Sequence, residues 1–229
     1  MMRFVAPRLG SIAGLLLVLA SCSGGPDAPT LELQVIDSVR GSIAARTTAQ
    51  PARPPVTRAL LDTLDGAFLE VTREERNQTA FLSPSVRTRD SQPGAITVWR
   101  TETDETLTVR GGMLIATRGL GGDILSTDMR VGAGGLGPAP AGKRVIDVRN
   151  ADNRKVAMVL DCRLADLGSE TIEIIGARHA TRHLQEHCTG AGGRVVNDYW
   201  IDSGSGLIWQ SRQWAGPHIG YLRLRQVTR

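Results

Sequence analysis

The chain has 229 residues and 41% of them are hydrophobic, which is enough for one sizeable core, so its length favours a single domain. Its 27 lysines and arginines nearly balance its 23 acidic residues, whereas a nucleic-acid binder concentrates basic charge on one face. We therefore expect no nucleic-acid partner. The 26 glycines and 11 prolines argue against long uninterrupted helices.

The first 21 residues have the pattern of a bacterial export signal. Arg3 and Arg8 precede the apolar run 12–20, which is far shorter than the roughly 20 residues needed to span a bilayer. The sequence Leu-Ala-Ser-Cys at 19–22 resembles the lipobox at which bacterial lipoproteins are cleaved and acylated. We therefore predict a signal peptide at 1–21 and lipid attachment at Cys22, with a plain signal peptide and an incidental cysteine as the alternative.

The residues around the predicted cleavage site also indicate a membrane. A diacylglycerol on the Cys22 thiol and a further acyl chain on the freed amine would give this protein three chains. A single acyl chain binds membranes only marginally, so this anchor would bind much more strongly. Ser23 is not the Asp that retains such lipoproteins at the inner membrane, so the resemblance implies the periplasmic face of the outer membrane. Residues 22–30, rich in Gly, Pro and Ser, are expected to form a lipidated tether to one domain at 31–229.

The domain is predicted to begin with one or two short helices. Leu31, Val35, Val39 and Ile43 recur at the spacing of a helical face, and a second short helix is predicted at 57–64.

Beyond residue 66 the sequence consists of short runs with high β propensity, separated by turn residues. We predict eleven strands, at 68–71, 79–82, 96–99, 106–109, 113–115, 145–148, 156–160, 172–175, 195–201, 207–214 and 221–227. The Gly-rich stretch 132–142 is the strongest loop prediction, and 202–206 has the composition of a hairpin loop. Because so many strands must close or stack to hide their edges, we expect a mainly β fold in which an antiparallel meander closes into a barrel-like fold, either a barrel or a barrel-like sandwich.

One motif has the composition of a metal site. His183, Glu186 and His187 form H-x-x-E-H, which on a helix is the inverzincin arrangement of two zinc-binding imidazoles and a carboxylate base. A third ligand is needed and no Glu follows His187, although His179 would share a face with both imidazoles in a helix or in a strand. A zinc-dependent periplasmic hydrolase is therefore the alternative function. The favoured interpretation is a polar surface with no metal, no cofactor and no catalytic residue.

Cys162 and Cys188 are the only cysteines besides Cys22. An even pair in an oxidising compartment predicts a disulfide, which the loop-entropy model values at roughly 3 to 4 kcal/mol. Two buried free thiols are the alternative.

Three stretches carry a family resemblance. They are Gly-Met-Leu-Ile-Ala-Thr-Arg-Gly-Leu-Gly at 112–121, Asn-Asp-Tyr-Trp-Ile-Asp at 197–202 and Gly-Leu-Ile-Trp-Gln-Ser-Arg-Gln-Trp at 206–214, followed by Pro217, Gly220 and Tyr221. Together with the lipobox they resemble the YjbF/GfcB family of capsule and exopolysaccharide lipoproteins.

The resemblance implies a mostly β, barrel-like outer-membrane lipoprotein without established enzymatic activity. It also implies operon-encoded partners in making or exporting an extracellular polysaccharide, among them an outer-membrane barrel, and the polysaccharide itself is a further candidate partner. Trp200, Trp209, Trp214 and Tyr221 are compatible with either of two roles, a surface that stacks on sugar rings or the packed core.

Overall fold

The computed structural model describes residues 56–228. They form one short helix, α1 (Arg58–Leu61), and twelve strands. The strands are β1 (Leu69–Arg73), β2 (Gln78–Thr88), β3 (Ile96–Arg100), β4 (Thr106–Arg110), β5 (Met113–Arg118), β6 (Ser126–Met129), β7 (Ala141–Arg149), β8 (Lys155–Ile174), β9 (Ala177–Gly190), β10 (Gly193–Asp202), β11 (Ile208–Trp214) and β12 (Tyr221–Gln226). Single 3₁₀ turns follow β1 at Glu74–Arg76 and β6 at Ala133–Gly135.

The twelve strands form one antiparallel sheet that nearly closes on itself. Consecutive strands pair along the chain, and β1 pairs with β12, which leaves β5 and β6 as the two edges. The edges meet without forming a ladder, and at the seam the amide of Thr117 donates to the carbonyl of Ile124 over 3.1 Å. The mainly β, barrel-like prediction is confirmed.

Buried and exposed side chains alternate along the strands, with the buried ones inside the barrel and the exposed ones outside. In β12, Leu222 and Leu224 are 1% and 4% exposed, whereas Arg223 between them is exposed. Side chains of this kind from most strands form one cluster, which we call the barrel core. It includes Leu69, Val71, Leu82, Trp99, Leu107, Val109, Leu114, Ile146, Val148, Leu160, Val195, Leu222 and Leu224.

A second apolar cluster, here called the outer cluster, joins α1 to the tip of the β8–β9 hairpin. Its buried members are Leu61, Ile172, Ile174, Trp209 and Val227. The guanidinium of Arg58 fixes the arrangement by donating to the carbonyls of Ile174, Ile175 and Val227 at 3.0, 3.1 and 3.0 Å. The helix thus covers the outward face of the sheet at one end of the barrel.

The strand predictions were wrong in two places. The predicted strands 156–160 and 172–175 are parts of one 20-residue strand, β8, which ends at Ile174, and β9 after it was not predicted. The short strand β6 was also not predicted. Residues 161–171 are mostly polar or small and exposed, so they lack the β-branched composition on which the prediction relied. Pairing with β9 keeps them extended, with a register shift between Asp166 and Gly168.

The N-terminal predictions are only partly covered by the structure. The signal peptide at 1–21, the tether at 22–30 and the helical stripe 31–43 lie outside the described residues. The helix predicted at 57–64 is shorter, because it starts after its N-cap Thr57 and ends at Leu61. Within residues 56–228 no helix is long and apolar enough to cross a membrane.

Candidate functional site

The histidine motif lies on a strand and not on a helix. His179, His183 and His187 are alternate members of one face of β9, and Glu186 belongs to the opposite face. His187 is exposed, whereas Glu186 is 5% exposed inside the barrel. The carboxylate therefore cannot serve as a base beside the two imidazoles, and the inverzincin geometry is not formed.

Glu186 is instead the centre of a buried polar network inside the barrel. Its Oε2 accepts from Nη2 of Arg144 at 2.8 Å, from Nδ2 of Asn197 at 2.9 Å and from the Tyr199 hydroxyl at 3.3 Å. Burial, and secondarily the negative charge of Glu186, raise the pKa of Tyr199 well above its usual range, so the phenol stays neutral and can donate. Three strands are thereby tied together at one point of the core: β7 through Arg144, β9 through Glu186, and β10 through Asn197 and Tyr199.

Cys162 and Cys188 lie directly opposite each other on β8 and β9, and a disulfide with an S–S distance of 2.03 Å joins them. Their sulfurs and a carboxylate oxygen of Glu186 lie within 4.8 Å of one another. A metal would bind such a group through thiolates, and sulfurs bonded to each other supply none. The disulfide therefore belongs to the core and the group is not a metal site.

His183 is held on the outer face between two carboxylates. Its Nε2 lies 2.9 Å from Oδ1 of Asp198 and its Nδ1 lies 3.2 Å from Oε2 of Glu170. The ring stacks on Trp200 with a centroid separation of 4.4 Å, and the indole N–H of Trp200 donates to the same Glu170 oxygen at 2.7 Å. Both carboxylates and the indole therefore contact the imidazole, and these side-chain contacts connect β8, β9 and β10 on the outer face of the sheet.

His179 stacks on Trp209 with the ring centroids 3.7 Å apart. The indole N–H of Trp209 donates to Asp202 at 3.2 Å. Asp202 also accepts from the amide and the hydroxyl of Ser205, and these bonds together hold the pKa of its carboxyl far below the usual range. The arrangement stabilises the loop between β10 and β11.

The four aromatic residues considered for sugar stacking do not form one platform. Trp209 is a buried member of the outer cluster and Trp200 packs against that cluster, whereas Trp214 packs against the barrel core. The ring of Tyr221 is covered by the guanidinium of Arg212, 3.5 Å from its centroid, and its hydroxyl accepts from the amide of Val196 at 3.2 Å. The structure thus gives these side chains packing contacts in separate places.

A cavity of about 970 Å³ opens at one end of the barrel and was not predicted from the sequence. Its walls come from β1, β2, β3, β4, β11 and β12 and from residues 134–136 of the Gly-rich loop. The loop is seated by backbone contact: the amide of Gly137 donates to the carbonyl of Gly111 at 3.0 Å, and a Cβ on Gly111 would lie 2.4 Å from the carbonyl oxygen of Gly135. Gly111 also has φ +55, in the left-handed region that glycine adopts without strain.

The available sequence signals explain why some of these features were missed. Thr97 and Trp99 are two positions apart on β3, so both side chains lie on the inner face of the barrel. A sequence pattern of this kind does not show whether the interior of a barrel is filled by side chains or left open. Nothing in the local sequence indicates that Arg144 is buried, because arginine is usually exposed and the preceding residue, Lys143, is charged as well.

Comparisons with known proteins agree with this architecture. No curated protein matches the sequence. The crystal structure of the hypothetical lipoprotein YmcC from Escherichia coli K12 is similar, with a TM-score of 0.62 and 19% sequence identity over 85% of this chain and 95% of that chain. This similarity shows the fold alone. The family model described as "Group 4 capsule polysaccharide lipoprotein gfcB, YjbF" matches residues 30–227, and on this ground the chain belongs to the YjbF family.

Proposed function

We propose that this protein is a non-catalytic lipoprotein of the outer membrane that participates in the production or export of a capsular or extracellular polysaccharide. The observation that carries the proposal is the family match over residues 30–227, because the family is one of capsule polysaccharide lipoproteins. The proposed partners are operon-encoded export proteins, including an outer-membrane barrel, and the polysaccharide is a further candidate.

The proposed anchor is an acylated Cys22 on the periplasmic face of the membrane, after removal of a signal peptide at 1–21. Residues 22–30 would then form the tether, and the family match begins at residue 30, where that tether is proposed to end. The Gly, Pro and Ser content of the tether suits a flexible connection between lipid and barrel.

The placement of the titratable groups supports a non-catalytic role. Glu186 is buried in an ion pair with Arg144, and His183 is packed between two carboxylates and an indole. A general base must reach its substrate within hydrogen-bonding distance, which a carboxylate enclosed in the barrel core does not do. We therefore expect the protein to act through binding and docking.

Replacing the anchor residue tests the localisation. Metabolic labelling with a palmitate analogue should mark the wild-type protein in the outer-membrane fraction, and Cys22→Ala should lose the label completely because the acylated thiol is gone. Ser23→Ala, which changes the neighbouring residue and leaves the acylated thiol in place, is the matched control and should remain labelled. Equal labelling of Cys22→Ala and wild type would rule out lipid attachment at this residue.

Complementation separates the export role from the hydrolase alternative. In a strain lacking the gene, wild type should restore surface polysaccharide, and His183→Ala/His187→Ala should restore it to a similar level. Loss of the exposed His187 side chain should change stability by under about 0.5 kcal/mol, and loss of the half-buried His183 by roughly 1 kcal/mol. Polysaccharide output is measured on cells, and folding of the variant by circular dichroism. A folded variant without polysaccharide output, together with stoichiometric zinc in wild type, would favour the hydrolase.

A further inference from the structure

We infer that the cavity at the end of the barrel binds an amphiphile with an apolar chain and an anionic head group. This binding activity is separate from the proposed export role and rests on the shape and chemistry of the cavity alone. At about 970 Å³ the cavity is at the upper end of the roughly 300–1,000 Å³ typical of small-molecule sites.

The walls of the cavity are apolar. Leu69, Trp99, Val109, Ile208 and Leu224 line it together with glycine backbone and a few small or polar side chains. A hydrocarbon chain in this space would remove its own surface and that of the walls from water, which is favourable by about 25 cal/mol per Å².

Three of the five uncharged polar side chains that line the cavity, Ser205, Ser211 and Gln226, are hydrogen-bonded within the protein. The hydroxyl of Ser211 accepts from the amide group of Gln213 at 2.9 Å, and the side chain of Gln226 donates to the carbonyls of Phe68 and Thr228 at 3.3 and 2.5 Å. A saccharide needs several hydrogen-bonding groups directed at its hydroxyls, and these groups already have partners inside the protein. The wall thus favours a chain over a sugar ring.

The charges at the cavity have one sign. Arg87 at the end of β2 and Arg89 just after it line the cavity, are exposed, and make no side-chain ion pair with any described residue. Among the described lining residues there is no Asp or Glu. Two unpaired guanidinium groups beside an apolar space suit a phosphate or carboxylate head group, which guanidinium binds through paired N–H donors.

An exposed apolar side chain also lines the cavity. Leu136, in the Gly-rich loop, lines the cavity and is 37% exposed. An exposed leucine in the wall offers a contact for a part of the chain that the cavity does not enclose. The exposed arginines and the apolar walls therefore select the same ligand, with a charged end and an apolar chain.

The test uses the chain from residue 23 onward, without the acyl anchor, and dodecyl phosphate as the probe, with farnesyl phosphate as the isoprenoid counterpart. Isothermal titration calorimetry should show saturable binding of one molecule per chain for at least one of them. The preferred probe distinguishes a straight acyl chain from an isoprenoid chain. Inorganic phosphate and an acidic oligosaccharide such as oligogalacturonate should not compete.

Two sets of variants locate the site. Thr97→Trp places an indole on the cavity side of β3 and should abolish binding, while Val98→Trp, on the other face of the same strand, should retain it.

Arg87→Gln/Arg89→Gln should weaken dodecyl phosphate binding about fivefold to tenfold and leave dodecanol binding unchanged, because each exposed ion pair contributes up to about 1 kcal/mol. The matched control, Arg76→Gln/Arg223→Gln, removes two exposed arginines that do not line the cavity and should bind as wild type does.

Several outcomes would overturn the inference. Among them are no saturable binding of either amphiphile to the wild-type chain, binding that survives in a folded Thr97→Trp variant, and displacement by oligogalacturonate. If Thr97→Trp does not fold, the arginine variants decide, and equal affinity of Arg87→Gln/Arg89→Gln and wild type for dodecyl phosphate contradicts the anionic head group.

Discussion

Glu186→Ala is expected to lower the free energy of unfolding by about 3 to 5 kcal/mol, because it leaves the guanidinium of Arg144 charged and unpaired in the barrel core. Arg144 is 3% exposed, and its hydrogen bonds in the core go to Glu186 and Tyr199. Asn197 and the Tyr199 hydroxyl would lose an acceptor as well. The measurement is equilibrium denaturation followed by tryptophan fluorescence.

Two further variants show whether the effect arises from the uncompensated charge. Glu170→Ala removes a carboxylate from the outer face of the same sheet and should cost roughly 1 kcal/mol. The double variant Arg144→Met/Glu186→Leu removes both charges and should recover most of the stability lost in Glu186→Ala, since apolar residues often replace a buried ion pair at little cost. A Glu186→Ala variant within 1 kcal/mol of wild type would contradict the network as described.

The fold class could be predicted because the strands obey local rules. Runs such as 96–99 and 221–227 combine β-branched, aromatic and alternating residues with turn residues at their ends, and they correspond to β3 and β12. The number of strands indicates that the sheet closes or stacks, because each open edge exposes unpaired backbone groups. Neither argument depends on which strands are neighbours.

The β8–β9 hairpin could not be predicted in this way. Its strands extend beyond the ordinary length, and the polar residues in their middle are held by pairing with each other and with β10. Pairing between strands is a tertiary effect that overrides local propensity. This is also why the histidine motif had two readings, since the spacing of 179, 183 and 187 is the same on a strand face as on a helical face.

The candidate sites show a similar limit. Residue types identified Cys162 and Cys188 as a pair, because compartment and parity are properties of the sequence. Arg144 and Glu186 are 42 positions apart in the sequence and are brought together by the pairing of three strands. The cavity exists where side chains on the inner face do not meet across the barrel. Such long-range contacts leave no local pattern.

Removing the disulfide in Cys162→Ala/Cys188→Ala is expected to lower the free energy of unfolding by roughly 3 to 4 kcal/mol, because the bond closes a loop with a sequence separation of 26 residues. The sulfurs lie in the barrel core beside Glu186, and Cys188 is fully buried, so the lost packing adds to the effect. The ladder between β8 and β9 continues on both sides of the cysteines, from Leu160–Gly190 to Ile174–Ala177. The variant should therefore keep the native β-sheet signal in circular dichroism while unfolding at lower denaturant.

Reductant provides the matched control for this variant. Dithiothreitol should lower the denaturation midpoint of the wild-type protein towards that of Cys162→Ala/Cys188→Ala and should leave the double variant unchanged, because only the wild type has a bond to reduce. Peptide mapping of the exported protein without reduction should recover the two cysteine peptides linked. Two freely alkylated thiols in the folded wild-type protein, or a midpoint that dithiothreitol shifts equally in both proteins, would show that the disulfide is not what stabilises this part of the barrel.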